Sequence, residues 1–364
     1  MGIGVPAMTT ELERALGARG AVLEGFHGVT VPAHFGDPGR EWRAAREGGA
    51  VFAAGFRALI AATGEDRVAF LQGMLSNDVT ALAPGQGLLA AFLTQQGKVV
   101  SDLRVYAHAD RLLLDVMSWR RAALQEGLER FIVADDVELS SAAEVPLLGL
   151  EGPLARAIAG EALGIAELPR APYGHARAAF QGAPVLVIAA SEVDGAGILL
   201  AGAPECAVAL FDACQEAGAQ PLGMQALNIL RVEAGVPWSG IDMDDTTLIM
   251  EAGRTAALSF TKGCYLGQEV VERIAARGHV NRQLAGVVLD GPAVPAPGAR
   301  VLVDTQEVGY VTSAVRSEAL ARPIALAMMQ CKHSTPGERV MIDSGGAVLA
   351  ASVSPLPFAV VGPQ

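Results

Sequence analysis

Apolar and polar positions follow two periods along this chain, and the period assigns most of its elements. In "EDRVAFLQGMLSND" the apolar residues Val68, Leu71 and Leu75 recur at helical spacing, as do Leu124, Leu128 and Phe131 in "WRRAALQEGLERFIV". Elsewhere in this region short apolar runs bounded by turn residues predict strands. "VFAAGFRALIAATG" reads as two strands, "GLLAAFLTQQGKVVSDLRVYAH" as a hairpin turning at Gln96-Gly97-Lys98, and "RLLLDVMS" and "DVELSS" as two more. Strands on one side and two helices on the other, in the order β-α-β-β-α-β, predict a ferredoxin-like unit that closes near residue 141. The first 50 residues hold one short amphipathic helix, "TTELERALGARG", and loop signals such as "FGDPGRE".

A second α+β layer is expected from about 145 to 235. "VPLLGLEG", a helix, "APVLVIAA" and "GILLAG" are followed there by helices from Pro204 to Gly218 and from Gly223 to Gly235. After Asn281 the pattern changes to short strands cut by Gly, Pro and Asp, among them "QLAGVVLDG", "PIALAMMQ" and "AVLAASVS". That spacing predicts a small antiparallel barrel with no helix of its own.

Composition narrows the function classes. The 364 residues include 27 Lys and Arg against 39 Asp and Glu, a formal net charge of −12 whose field repels polyanions and argues against broad nucleic-acid binding. No apolar run approaches the roughly 20 residues a bilayer span needs, so no membrane segment is expected. "MGIGVPAMTTELERALGARG" lacks a basic head followed by an apolar core, so no secretory signal is expected either. Four cysteines in a chain of this length form no disulfide framework. Cys206 and Cys214, eight apart in a helical stretch, read as core residues, and Cys264 and Cys331 stand isolated. A reduced, cytoplasmic protein is expected.

The candidate chemistry centres on "TKGCYLGQEVVERI". Residues Glu251 to Arg282 carry five basic and three acidic side chains, a local +2. Such a segment either holds a small carboxylated or phosphorylated ligand or is a solvated face whose charges pair along a helix, as Glu269 and Arg273 do at i, i+4. Gly267 is the expected N-cap of this helix, with Glu269 in its first turn and Gly278 as C-cap. A helix start and Lys262 beside Cys264 favour its thiolate, and Glu269 opposes this. The alternative is a buried thiol with glycines serving a tight turn. No second cysteine stands at CxxC spacing, so the chain alone provides no closed metal site. Asp102 in "GKVVSDLRVY" is a carboxylate in mid-strand, pointing either to solvent or into a ligand cavity. Glu233 in "LRVEAG" is a carboxylate at a helix end with the same two options. Histidines make no H-x-x-H pattern, and no P-loop, GxSxG elbow or dinucleotide fingerprint occurs.

Taken in order, "GEDRVAFLQGMLSNDV", "QGKVVSDLRVY", "RVEAGVPWSGIDMDDTTLIMEAG", "SFTKGCYLGQEVVERIAARGHVNRQL" and "EVGYVTSAV" resemble the folate-binding YgfZ family, a relative of the glycine-cleavage T-protein (aminomethyltransferase). The similarity runs from about residue 30 to about 350. Its most specific part is Lys262, Gly263, Cys264, Tyr265, Gly267, Gln268 and Glu269, which resembles the YgfZ signature.

The resemblance implies an α+β fold: two ferredoxin-like layers around a central folate pocket, plus a small C-terminal antiparallel β-barrel. The expected domains are residues 1–47 with 142–245, residues 48–141 with 246–280 carrying the cysteine motif, and the barrel at 281–364. Tetrahydrofolate or a derivative is the implied ligand. The implied role is support of iron–sulfur cluster assembly or repair for client enzymes such as those that thiolate tRNA, with Cys264 a reactive thiol or a shared cluster ligand. The alternative is tetrahydrofolate-dependent aminomethyl transfer of the T-protein type. By the same resemblance Asp102 falls where T-proteins keep the carboxylate beside the folate nitrogens, and Glu233 where they keep a pterin-contacting acid. Arg254 and Arg273 are expected to face the folate glutamate carboxylates. Three departures weaken the case for aminomethyl transfer, the first two within the expected pocket. Ser101 replaces one acid of an Asp-Asp pair, "LLLDVMSW" lacks an asparagine, and "TTLIME" lacks a proline.

Overall fold

A computed structural model describes residues 10–141 and 145–358 of the chain. The first nine residues lie outside the described ones, so the secretory-signal expectation is left where the sequence puts it. The chain forms two compact units, one of residues up to 92 with 101–227, the other of residues 93–100 with 228–364.

The first unit opens with α1 (Glu11–Ala18), where Thr10 and Glu13 form a reciprocal capping box. A hairpin follows, β1 (Val22–Phe26) with β2 (Val29–His34), and then α2 (Pro38–Glu47). Neither the hairpin nor α2 is expected from the period. In α2 the "loop" residues Asp37 and Pro38 are in fact a helix start: Asp37 Oδ1 accepts the Gly39 and Arg40 amides, and Pro38 occupies the first turn.

The next elements are β3 (Ala50–Ala53), β4 (Arg57–Thr63), α3 (Arg67–Met74), β5 (Gly87–Leu93), β6 (Val99–Ala107), β7 (Leu112–Met117), α4 (Arg121–Glu129) and β8 (Glu138–Ser141). Five strands pair in the order β5-β6-β7-β4-β8. The hairpin and the strand "RLLLDVMS" expected between the two helices are β5, β6 and β7, a three-strand meander that holds one strand more than the β-α-β-β-α-β order. Leu124 and Leu128 are fully buried as expected. Phe131 lies beyond the end of α4 and is exposed, so it is not part of that stripe.

The second sheet uses β9 (Leu147–Glu151), α5 (Ala155–Leu163), β10 (His175–Phe180), β11 (Ala183–Ile188), β12 (Ile198–Gly202), α6 (Ala207–Glu216) and β13 (Gln220–Pro221). Its order is β10-β11-β12-β9-β3-β13. One apolar core packs α1, α5 and α6 against this sheet through Leu16, Ile158, Leu200, Leu210 and Phe211. Cys206 and Cys214 belong to that core, and burial pushes the Cys214 thiol up to about 12.

Next, α7 (Met224–Glu233) leads into the second unit, which holds α8 (Gln268–Arg277) and six strands. These are β14 (Arg282–Leu289), β15 (Arg300–Val303), β16 (Gln306–Ser317), β17 (Arg322–Gln330), β18 (Arg339–Ser344) and β19 (Ala347–Ser354). They close in the order β14-β17-β16-β15-β18-β19, and β19 pairs back onto β14. Alternating side chains such as Val287, Val301, Ala327 and Ile342 fill the interior. No helix among the described residues is long and apolar enough to cross a membrane.

Candidate functional site

In the first unit, register puts the charged residues of three adjacent strands on one face. Arg104 and Tyr106 on β6 stand opposite Asp115 and Leu113 on β7, and Leu59 and Ala61 on β4 stand opposite the same two residues. Asp102 precedes Arg104 by two positions on an extended strand and so shares that face. Its residue is only 8% exposed, which settles one alternative: it is not a solvated strand carboxylate. Ser101, on the opposite face, is fully buried and donates its hydroxyl to the Asp102 carbonyl at 2.7 Å. This position therefore supplies one carboxylate rather than a pair.

Beside Asp102 the same face carries a buried ion network. Asp115, with no exposed surface, accepts from Arg57 Nε at 2.6 Å, Tyr106 Oη at 2.7 Å and Arg104 Nη1 at 3.4 Å. Glu192 accepts from Arg104 Nη1 at 2.8 Å and Arg57 Nη1 at 3.3 Å. Burial acts to raise the Glu192 carboxyl, but the two guanidiniums outweigh it and hold the group below its ordinary value. Burial and the Asp115 charge push the Tyr106 phenol well above its own. Two cations thus meet two anions in a dry interior, an arrangement that is stable only while every member stays paired. Sequence reading did not pick out Arg57, Arg104, Asp115 and Glu192. The signal was the lone carboxylate in the apolar run "LLLDVM".

In the second unit, the cysteine motif forms a loop that enters α8. Cys264 is exposed, so the sealed-corner alternative fails. Lys262 is buried, and its ammonium sits over the Tyr265 ring, 5.1 Å from the centroid. Burial pushes the Tyr265 phenol up to about 12. Gln268 returns its side chain to the loop, where Oε1 accepts the Tyr265 amide at 3.2 Å, while Nε2 donates to Glu272 at 2.6 Å. Gly267 and Gly278 flank α8 as expected, but Gly267 does so in the left-handed region, at φ +82°. A side chain there would also meet the hairpin turn, since an added Cβ would lie 2.4 Å from the Thr94 carbonyl oxygen. Only glycine fits. Gly263 is exposed.

The remaining motif and ligand candidates divide. Glu269 and Arg273 are both exposed and pair with each other at i, i+4. Arg254 is half-buried and precedes a short turn, Thr255–Ala257. Glu233 ends α7 almost fully buried. Its Oε1 accepts from Ser317 Oγ at 2.6 Å and from the Ala319 amide at 3.2 Å, and its carbonyl accepts from the Phe358 amide. These bonds tie the helix end to the barrel.

A second buried hub starts two residues earlier in α7. Arg231 bonds Asp242 and donates to Ser313 Oγ at 2.7 Å, with its guanidinium 4.8 Å from the Trp238 ring centroid. Opposite it, β16 bulges at Thr312, between Val311 and Ser313. The extra residue lets two successive hydroxyls, Thr312 Oγ1 and Ser313 Oγ, both donate to Asp242 Oδ1 at 2.6 Å. The acidic, turn-rich stretch "RVEAGVPWSGIDMDD" is folded around this pair. Among the described residues, no three His, Cys, Asp or Glu side chains gather where they could hold a metal ion. Cys264 thus has no co-ligands from the described part of its own chain.

Comparison with known proteins places these units. Residues 12–262 match the GCVT N-terminal domain, and residues 282–359 match the glycine cleavage T-protein C-terminal barrel domain. An aminomethyltransferase of Chromobacterium violaceum is 30% identical over 357 residues, 94% of this chain and 94% of that protein. One from Geobacillus kaustophilus is 29% identical, covering 93% and 95%. The crystal structure of glycine cleavage system aminomethyltransferase T from Bartonella henselae has the same fold, with a TM-score of 0.87 over 96% of this chain and 97% of that one, at 23% identity.

Proposed function

The chain belongs to the glycine cleavage T-protein family, and from that membership we propose that it binds tetrahydrofolate and transfers a one-carbon unit to it in the manner of an aminomethyltransferase. The observation that carries this reading is the match of both T-protein domains over nearly the full length, with a buried carboxylate, Asp102, at the position resemblance assigns to the folate nitrogens. In this mechanism Asp102 orients the acceptor nitrogen and stabilises the positive charge that develops as the carbon is transferred. The Arg104–Glu192–Arg57–Asp115 network stiffens the strand face from which Asp102 projects. Glu233 is assigned to the pterin, and Arg254 and Arg273 to the glutamate carboxylates, by resemblance. Turnover of an aminomethylated lipoyl carrier with tetrahydrofolate tests the proposal. Activity that disappears in Asp102→Asn supports it, and no turnover at saturating folate removes it.

A second reading is favoured by one observation, the exposed thiol of the YgfZ-like motif. Here the folate-bound chain supports iron–sulfur enzymes, including those that thiolate tRNA, and Cys264 is a reactive thiol or one ligand of a shared cluster. Such a cluster needs further ligands from a client, a second copy or a small thiol. Anaerobic reconstitution with iron and sulfide, wild type against Cys264→Ser, separates the readings. Equal spectra and equal rescue of cluster enzymes would leave the thiol without a role.

A further inference from the structure

The first unit contains a groove that plays no part in the folate reading. It encloses about 470 Å³, within the range of small-molecule sites. Its walls are aliphatic: Leu59, Ala61 and Leu113 from the five-stranded sheet, Leu186 and Ala201 from the other, and Pro204 from the short turn after β12. Ala61 stands opposite Leu113, and Leu186 opposite Ala201, so each wall is a row of paired side chains. Among the described residues no Phe, Tyr or Trp lines the groove, so they provide no platform for a planar heterocycle.

One end is polar. His108 and Arg111 close the tight turn between β6 and β7, where the His108 amide donates to the Arg111 carbonyl at 2.9 Å. Arg177, opposite Leu186 in the neighbouring strand, adds a second guanidinium. His108 Nε2 and Arg111 Nε are both shut off from water and have no hydrogen-bond partner among the described residues. Buried, unpaired nitrogens are costly and call for an explanation. Asp110, the acid beside Arg111, is exposed and 3.9 Å from its Nη1, at the edge of ion-pair range. Burial, then His175, Arg111 and Arg177, hold His108 down at about 4, so near neutral pH its ring is a hydrogen-bonding group and not a third cation. The polar end is set apart from Asp102, since His108, just past the end of β6, follows it by six residues, about 20 Å along an extended chain.

We propose that this groove binds a straight-chain aliphatic carboxylate of medium length, with its tail between the two aliphatic walls and its head group on Arg111, His108 and Arg177. The carboxylate supplies the acceptor that the buried Arg111 Nε lacks, and the tail needs only the unbranched apolar space between the sheets.

Calorimetry of the full chain with decanoate, below its micelle concentration, tests this, with decanol as the uncharged probe of equal tail. Decanoate is expected to bind one per chain, at least about tenfold tighter than decanol. Arg111→Gln, a substitution in a partly exposed turn, should bring decanoate down to the level of decanol. Ala201→Phe, which fills the groove, should abolish binding by both while circular dichroism stays that of the wild type. Tetrahydrofolate should not compete. No saturable binding of decanoate to the wild type overturns the proposal, as does an affinity indifferent to Arg111→Gln or to Ala201→Phe.

Discussion

Replacing Glu151 with glutamine should remove a pH dependence from the stability of the first unit. Glu151 ends β9 and is almost fully buried. Its Oε1 accepts the Glu192 amide at 2.7 Å, and its Oε2 accepts the Ser191 hydroxyl at 2.9 Å. Ser191 Oγ in turn accepts the amides of Val193 and Gly195, so one carboxyl organises the turn that aims Glu192 at the two arginines. Burial pushes Glu151 up to about 8, only partly offset by those two donors. The unfolded group titrates near 4.5, so between the two values the folded chain holds a proton that the unfolded chain has lost. The stability tied to that proton is fully present below the unfolded value and disappears as pH rises through the folded one. The slope is about 1.4 kcal/mol per pH unit, which over this window gives an upper bound of about 5 kcal/mol. Opening of the turn to water makes about 2–3 kcal/mol the expected span. Glutamine keeps the acceptor for the Glu192 amide but mismatches Ser191, a fixed loss of about 1 kcal/mol that does not vary with pH. Urea unfolding across the window should therefore show the variant losing less stability than wild type as pH rises. His108 and His175 titrate in both proteins and cancel in the difference. Parallel profiles would show that the folded protein already carries Glu151 ionised, and would refute the reasoning.

Other substitutions probe the remaining features. Asp115→Asn leaves Arg57 and Arg104 facing the single charge of Glu192, and should cost about 3–5 kcal/mol in urea unfolding. The charge-balanced pair Arg104→Met with Glu192→Leu should be less damaging than Arg104→Met alone, a non-additivity read from the double-mutant cycle. Gly267→Ala should lower stability by about 2–3 kcal/mol, since it combines a left-handed backbone with a Cβ that has no room beside Thr94; a melting temperature within error of wild type would contradict this. Asp242→Asn should destabilise the barrel-bearing unit by about 3 kcal/mol or more, because Arg231 then lies buried without its anion, and near-UV circular dichroism of Trp238 reports the loss.

The fold was legible in the sequence wherever period and turn chemistry agreed. The hairpin turn at Gln96-Gly97-Lys98, the helix bounded by Gly267 and Gly278, and the strands of the barrel stand where their patterns put them. Elements were missed where one cue outweighed another. "FGDPGRE" reads as a loop if Gly and Pro are counted as breakers, yet Asp37 followed by Pro38 is the start of α2. Phe131 continued the α4 stripe in spacing, but the helix ends at Glu129 and the chain turns its ring outward. All three strands of the β5, β6 and β7 meander were assigned from their patterns, but the order in which the five strands pair is a tertiary fact that alternation along one strand does not contain.

The site was legible in proportion to how local its physics is. Gly267 and Gly278 bounding α8 follow from neighbouring residue types, whereas the exposure of Cys264 was open in the sequence and the close approach of Gly267 to Thr94 is a long-range contact. The partners of Asp115 come from β4 and β6, and the second carboxylate, Glu192, comes from the turn after β11, so the network could be predicted only once the register of two sheets was known. Each strand seen alone shows one or two misplaced charges, one in "RALIAAT" and "LLLDVM" and two in "SDLRVYA", which the chain could as easily have turned to solvent. What selects the buried arrangement is mutual cancellation: two guanidiniums and two carboxylates can enter a dry interior together, and none of them can enter it alone. Asp102 shares this strand face two positions before Arg104 and is itself only 8% exposed, so the candidate that the sequence revealed lies beside the network that it concealed.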